Sequence, residues 1–161
     1  MADRLSVKII TPERVVTVRE ADCVTLPAAL GQIQILPGHV PMFSTVNPGQ
    51  IDLKDGDKTT IYAIGAGYLE VVNNEISLLV DTAEGENEID PKRAAALIAE
   101  AKDRLANLSP EATEERFAFE SQLAAAQASI EVYKQTSHEE IERPSSFMKA
   151  IPAPDKQNKD K

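Results

Sequence analysis

Cysteine is nearly missing from this chain, and tryptophan is missing altogether. The lone Cys23 excludes an internal disulfide and any multi-thiolate metal site. Aromatic residues are 4% of the sequence, too few for the stacking platforms that bind nucleic acid or sugar. Positive charge is scarce: 17 basic against 26 acidic residues leave a net charge of −9. Such a chain lacks the cationic face that nucleic acid or an anionic membrane requires. No run approaches the ~20 apolar residues of a membrane helix. The first eight residues include Asp3, Arg4 and Lys8 and hold no apolar segment, so no signal peptide is expected. The expectation is a soluble cytosolic chain, brought to any membrane by a protein partner.

Catalytic signatures are missing too. There is no phosphate-cradling GxxxxGK followed by Ser or Thr. Gly65-Ala66-Gly67 is too short for a dinucleotide fingerprint and lies between strand-like runs, where bulge or turn glycines are the simpler reading. His39 and His138 are far apart, with no Cys or His at metal-ligand spacing. No nucleophile-elbow context surrounds any serine. Cys23 sits in an alternating run and reads as a small core residue. Asp81, Glu84, Glu86 and Glu88 form an acidic run that reads as a solvated linker, with divalent-ion binding as the alternative. By exclusion the chain is not a self-contained enzyme.

What is present divides into three blocks of the 161 residues. Residues 1–86 hold 6 basic and 12 acidic groups (net −6) and every one of the seven glycines. Residues 87–143 hold 7 and 12 (net −5), with alanine dominant. Residues 144–161 hold 4 and 2 (net +2) and read as a disordered tail.

The first block alternates with period two. Leu5, Val7 and Ile9 are followed by Val16 and Val18, Val24 and Leu26, and Ile33 and Ile35. Ile51 and Leu53, Ile61 and Ala63, Leu69 and Val71, then Ile76, Leu78 and Val80 complete the series. Short alternating runs separated by turn residues predict an antiparallel sandwich or barrel. Asn73-Asn74 suits a tight hairpin, because asparagine tolerates positive φ.

The second block predicts an antiparallel helical hairpin. Asp90 caps and Pro91 opens a first helix whose seam is Ala94, Ile98, Ala101, Leu105 and Leu108. Ser109-Pro110 repeats the signal, and the second seam is Ala112, Arg116, Phe119, Leu123, Ala126, Ile130 and Tyr133. These seams bury too little to order two helices unaided, so the hairpin needs a docking surface. More than one such surface would make it a movable arm.

The most unusual stretch runs from Leu30-Gly31-Gln32 to Leu36-Pro37-Gly38-His39-Val40-Pro41. Pro37-Gly38 is a turn signal, Pro41 blocks further strand pairing, and a histidine that caps the turn is the plain reading of His39. This segment resembles the epsilon subunit of F-type ATP synthases, which shares Leu-Gly, alternating apolar residues and Leu-Pro-Gly-His-x-Pro. The similarity continues through Asn47-Pro48-Gly49, Gly67-Tyr68-Leu69-Glu70-Val71, Val80-Asp81-Thr82-Ala83 and Ile89-Asp90-Pro91-Lys92-Arg93-Ala94. It covers about residues 4–135. The resemblance implies a β-sandwich followed by a two-helix arm.

It also implies a rotor-stalk role, coupling proton flow to ATP synthesis. The implied partners are the gamma subunit, the c-ring, and the alpha/beta catalytic head reached by the arm. Gly31, Gln32, Pro37, Gly38, His39 and Pro41 match the region facing the c-ring and gamma, with Gln32 where some members carry glutamate. Ile89, Asp90, Arg93 and Ala94 match a motif that binds regulatory ATP in some bacterial members. The second-helix arginines of those members are replaced here by Ala125 and Ser129. An arm this acidic predicts weak inhibition of hydrolysis at most. The expected location is the cytoplasmic face of a bacterial inner membrane, peripheral, ahead of a plastid thylakoid. The alternative is a stand-alone ligand-binding sandwich with a helical dimerisation arm.

Overall fold

In a computed structural model of the chain, residues 3–142 are described, with side chains through 137. The tail expected over 144–161, and His138 as a side chain, lie outside the described residues.

Ten strands come first: β1 (Leu5–Ile10), β2 (Val15–Ala21), β3 (Cys23–Ala28), β4 (Gly31–Ile35) and β5 (Met42–Val46). Then follow β6 (Gly49–Asp55), β7 (Lys58–Ile64), β8 (Gly67–Val72), β9 (Glu75–Val80) and β10 (Ala83–Gly85). They pair in the order β10-β7-β6-β3-β5-β8-β9-β1-β2, with β4 attached to β3. One core lies inside the folded sheet. Leu5, Val7 and Ile9 of β1, Val24 and Leu26 of β3, and Ile51 and Leu53 of β6 point into it, as do Leu69, Val71, Ile76 and Leu78 of β8 and β9. Cys23 is buried, as its alternating context predicts.

The sandwich is antiparallel as expected, save for one pair. β1 runs parallel to β9, with Val7 opposite Ile76 and Ile9 opposite Leu78. A parallel pair joins segments distant in sequence and leaves no local mark. The Asn73-Asn74 turn is as predicted: both residues have positive φ, 50° and 63°. Two strands depart from the alternation. A bulge between Ile9 and Ile10 shifts the register of β1 with β2, so Val18 lies opposite Lys8 on the outer face while Val16 packs against the core. β5 was invisible because its largest apolar residue, Phe43, faces outward and Met42, Ser44 and Val46 face inward.

The helical hairpin follows: α1 (Pro91–Asn107) and α2 (Thr113–Glu142). The Asp90 carboxylate accepts from the Lys92 and Arg93 amides at 3.0 and 3.3 Å, and Pro91 opens the helix. Ala94 and Ala101 are buried at the α1 seam. The second cap behaves differently. Ser109 Oγ accepts only from the Glu111 amide, residues 109–112 form a turn, and α2 starts at Thr113.

The seam of α2 also drifts from the prediction. Ala126, Ser129 and Val132 are its buried residues, while Tyr133 is exposed. The reason is length: α1 has 17 residues and α2 has 30. Past the reach of α1, α2 turns a second face to β6 and β7. There Val132 joins Ala63, Ile89 and Ile61 in a small second core.

Candidate functional site: an apolar sheet face and an interdomain cleft

Two surfaces gather the residues singled out by sequence. The first is the region from Gly31 to Pro41. It splits in two. Gly31 and Gln32 stand at the β3–β4 turn, opposite Ala28 and Pro27, beside the fully exposed Leu30. Residues 37–41 lie at the far end of β4, about 15 Å away at strand rise. There the His39 amide donates to the Leu36 carbonyl at 3.1 Å, closing a turn. Gly38 has φ of 85° and donates its amide to Asn74 Oδ1 at 2.7 Å. The carbonyl of Asn74 accepts from the Ser6 amide at 2.8 Å. The β8–β9 hairpin therefore ties the Pro37-Gly38 turn to β1. His39 Nδ1 lies 2.7 Å from the Val40 carbonyl, which makes Nδ1 the donor of this bond. The ring caps its own loop.

Beside this loop is a surface that sequence reasoning missed. Strand register places Tyr68 opposite Thr45 and Leu79, and Leu79 beside Ile10. Ile10 in turn faces Val15, and Val18 lies opposite Lys8. All these positions point out of the sandwich. Phe43 is 71% exposed, Val18 60%, Tyr68 53%, Val15 52% and Leu79 50%. The Phe43 and Tyr68 rings stack with centroids 5.7 Å apart. Clustered exposed apolar groups on one sheet face mark a protein contact. A signal existed: Val15-Val16, Met42-Phe43, Val71-Val72 and Leu78-Leu79 put apolar residues on both parities, the pattern of strands covered on both faces.

The second surface is a cleft of about 550 Å³ between the arm and the sandwich. Asp90, Arg93, Ala94 and Leu97 of the α1 region line one wall, and Phe117, Ala125 and Ser129 of α2 line another. Asp81, Thr82 and Glu84 form the sandwich side. The structure thus brings Asp90, Arg93 and Ala94 together with Ala125 and Ser129, the positions where the resemblance would place arginines. Ile89 is not in the cleft but in the second core with Ala63 and Val132. Ser129 Oγ sits 3.2 Å from Glu84 Oε2 and 3.3 Å from the Ala125 carbonyl, both acceptors for its one proton. The lining carries three carboxylates, Asp81, Glu84 and Asp90, against one guanidinium, Arg93.

The acidic run is not a plain linker. Besides the Glu84–Ser129 contact, Glu88 accepts from Arg14 at 2.8 Å and from the Gly85 amide at 3.1 Å. These bonds hold the Glu88 carboxyl below the usual glutamate range, the Arg14 hydrogen bond first. Among the described residues, no three His, Cys, Asp or Glu side chains converge as a metal site. No described helix is long and apolar enough to cross a membrane.

Residues 4–86 match the family model described as the ATP synthase, Delta/Epsilon chain, beta-sandwich domain. The ATP synthase epsilon chain of Geotalea daltonii is 37% identical over 111 residues, covering 69% of this chain and 80% of its own. That of Geobacter metallireducens is 38% identical over the same length and coverage. The epsilon chain of Geotalea uraniireducens is 37% identical over 133 residues, 78% of this chain and 96% of its own. A chain in the structure of the Euglena gracilis mitochondrial ATP synthase, OSCP/F1/c-ring, has the same fold, with a TM-score of 0.63 at 20% identity and 78% coverage of both chains. A sandwich with this register, a capped helical hairpin after it, and relatives matched along most of their length agree: the chain belongs to the epsilon-subunit family of F-type ATP synthases.

Proposed function

We propose that the chain is the non-catalytic central-stalk subunit of its ATP synthase, linking proton flow through the c-ring to ATP synthesis in the catalytic head. The observation that carries this reading is the uncovered apolar face of Phe43, Tyr68, Leu79, Val15 and Val18. A sandwich that already has a closed core gains nothing from such a face unless a partner covers it. In this reading the gamma subunit lies on that face. The c-ring meets the loops at its rim: Gly31 and Gln32 at one end of β4, and Pro37, Gly38, His39 and Pro41 at the other. The subunit is then peripheral, held at the cytoplasmic face of a bacterial inner membrane by its partners.

The arm belongs to the same proposal as a weak regulator of hydrolysis in the alpha/beta head. α2 carries Glu114, Glu115, Glu120 and Glu131, with Glu111 in the turn before it, against Arg116 and Lys134, a balance that repels an acidic partner. The test is ATP hydrolysis by the cognate head stripped of this subunit, with the full chain or a chain ending at Glu88 added back. Both are expected to co-purify with gamma, and neither to slow hydrolysis strongly. Failure of both to bind gamma would sink the stalk reading.

Regulatory ATP in the cleft is a second reading, supported by the convergence of Asp90, Arg93 and Ala94 on one wall. Arg93 is the residue placed to pair with phosphate, and the first-turn amides of α1 would add to it. Three carboxylates around one guanidinium oppose a polyanion, so binding is expected to be weak. Calorimetry of the full chain against millimolar ATP decides, and the absence of heat removes the reading.

A further inference from the structure

The sheet has three strands with one side unpaired among the described residues: β10, β2 and β4. Open edges template pairing with another chain, and folded proteins blunt them by shortness, charge or cover. β10 is only three residues long. β2 carries Arg19 and Glu20, and Arg19 reaches across to Thr60 Oγ1 at 3.2 Å. β4 has none of these devices. It is Gly-Gln-Ile-Gln-Ile, uncharged and without proline.

The register says which groups are free. Pro27 lies opposite Gln32, and Pro27 has no N–H to donate. Its carbonyl is used on the other side of β3, accepting from the Asn47 amide at 3.1 Å. Pro27–Gln32 is therefore a non-hydrogen-bonded pair, and the Gln32 N–H and C=O point away from β3. Alternation gives Gln34 the same orientation, while Gly31, Ile33 and Ile35 bond back to β3. Both glutamines are exposed. Exposed Leu30 and Leu36 stand at the two ends of the same edge.

We propose that β4 accepts an extended strand from a partner chain of the central stalk, paired through the main-chain groups of Gln32 and Gln34. The proposal rests on the stalk reading above. It assigns the segment from Gly31 to Leu36 a main-chain role beyond side-chain contact. The matching strand is uncharged, with small or apolar residues against half-buried Ile33 and amide-tolerant ones against the glutamines.

Amide hydrogen exchange on the full chain, free and bound to the cognate F1/c-ring assembly stripped of this subunit, tests it. The Gln32 and Gln34 amides are expected to exchange freely in the isolated chain and to slow at least tenfold on assembly. Those of Ile33 and Ile35 are slow in both. Gln34→Pro removes one outward N–H and no bond to β3, so it is expected to weaken assembly about tenfold while leaving the melting temperature within a few degrees. Should that variant fail to fold, Gln34→Lys replaces it and exchange on the unaltered chain still decides. Normal assembly with both glutamine amides still fast overturns strand addition and leaves the stalk reading intact. Protection that grows with concentration of the isolated chain overturns it in favour of a second copy. Failure to assemble at all overturns both.

Discussion

Gly67 shows how much one residue can govern. It opens β8 opposite Val80, and a Cβ there would sit 1.9 Å from the Leu79 carbonyl oxygen, a backbone atom that cannot yield. Gly67→Ala is expected to destabilise the sandwich by about 3 kcal/mol, at the upper end of overpacking costs. Urea denaturation would show a lower midpoint at unchanged slope. Gly65-Ala66-Gly67, read from sequence as turn glycines, thus includes one whose small size is a packing requirement. Glu88 belongs to the same scale. Its folded pKa is lowered, so its contribution is present above the ordinary glutamate range and lost as pH falls through the folded value. Arg14→Ala should lower the melting temperature slightly at about pH 7, and the difference should vanish once the pH has fallen below the lowered folded-state value and Glu88 is protonated in both states. The difference is small and shrinks with salt, because both side chains are about half exposed, 52% and 44%.

Helix α2 is where element-scale physics decides the fold of the arm. Its first half packs on α1, and its second half packs on β6 and β7 through completely buried Val132. The apolar contact to the sandwich is a cluster of Ala63, Ile89, Val132 and Ile61, joined by the Ser129–Glu84 hydrogen bond and with an open cleft beside it. Such a contact is small beside the main core of the sandwich. Val132→Asp places an unpaired charge in that cluster, at a cost of several kcal/mol. The expected outcome is release of α2 while the sandwich stays folded. Amide exchange would rise in the second half of α2 and stay unchanged in β1 and β9. Unchanged exchange in α2 would contradict this account of how the arm is held.

At the scale of the whole molecule, an inner core that is complete without the arm coexists with an outer apolar face that nothing among the described residues covers. All members of the main core lie between Leu5 and Ala83. The sandwich therefore closes around its own core, and the arm is an attachment to it. Phe43→Ser with Tyr68→Ser should leave the melting temperature within a few degrees, since both rings are exposed. The same pair is expected to weaken association with gamma at least tenfold, as buried aromatic anchors dominate interface energy. Sizing of the mixed subunits would measure it. Retained affinity would move the gamma contact off this face.

The sequence alone settled whatever depends on neighbours in the chain. Period-two alternation marked most of the strands, Asn73-Asn74 marked the hairpin, Asp90-Pro91 marked the start of α1, and Leu36-Pro37-Gly38-His39-x-Pro41 marked the family. Long-range pairing decided the rest. Alternation defines two faces of a strand but not which one is covered, so Phe43 and Val18 could be placed outward only once β8 and β1 were seen beside them. The parallel β1–β9 pair, the open side of β4 and the turn of α2 onto β7 join residues far apart in sequence. Arg93 looked like a phosphate ligand among its sequence neighbours. The acidic run just before it was already visible in sequence, but only folding decided that Asp81 and Glu84 of that run line the same cleft as Arg93. A charge's partners, unlike a helix cap, are chosen by tertiary structure.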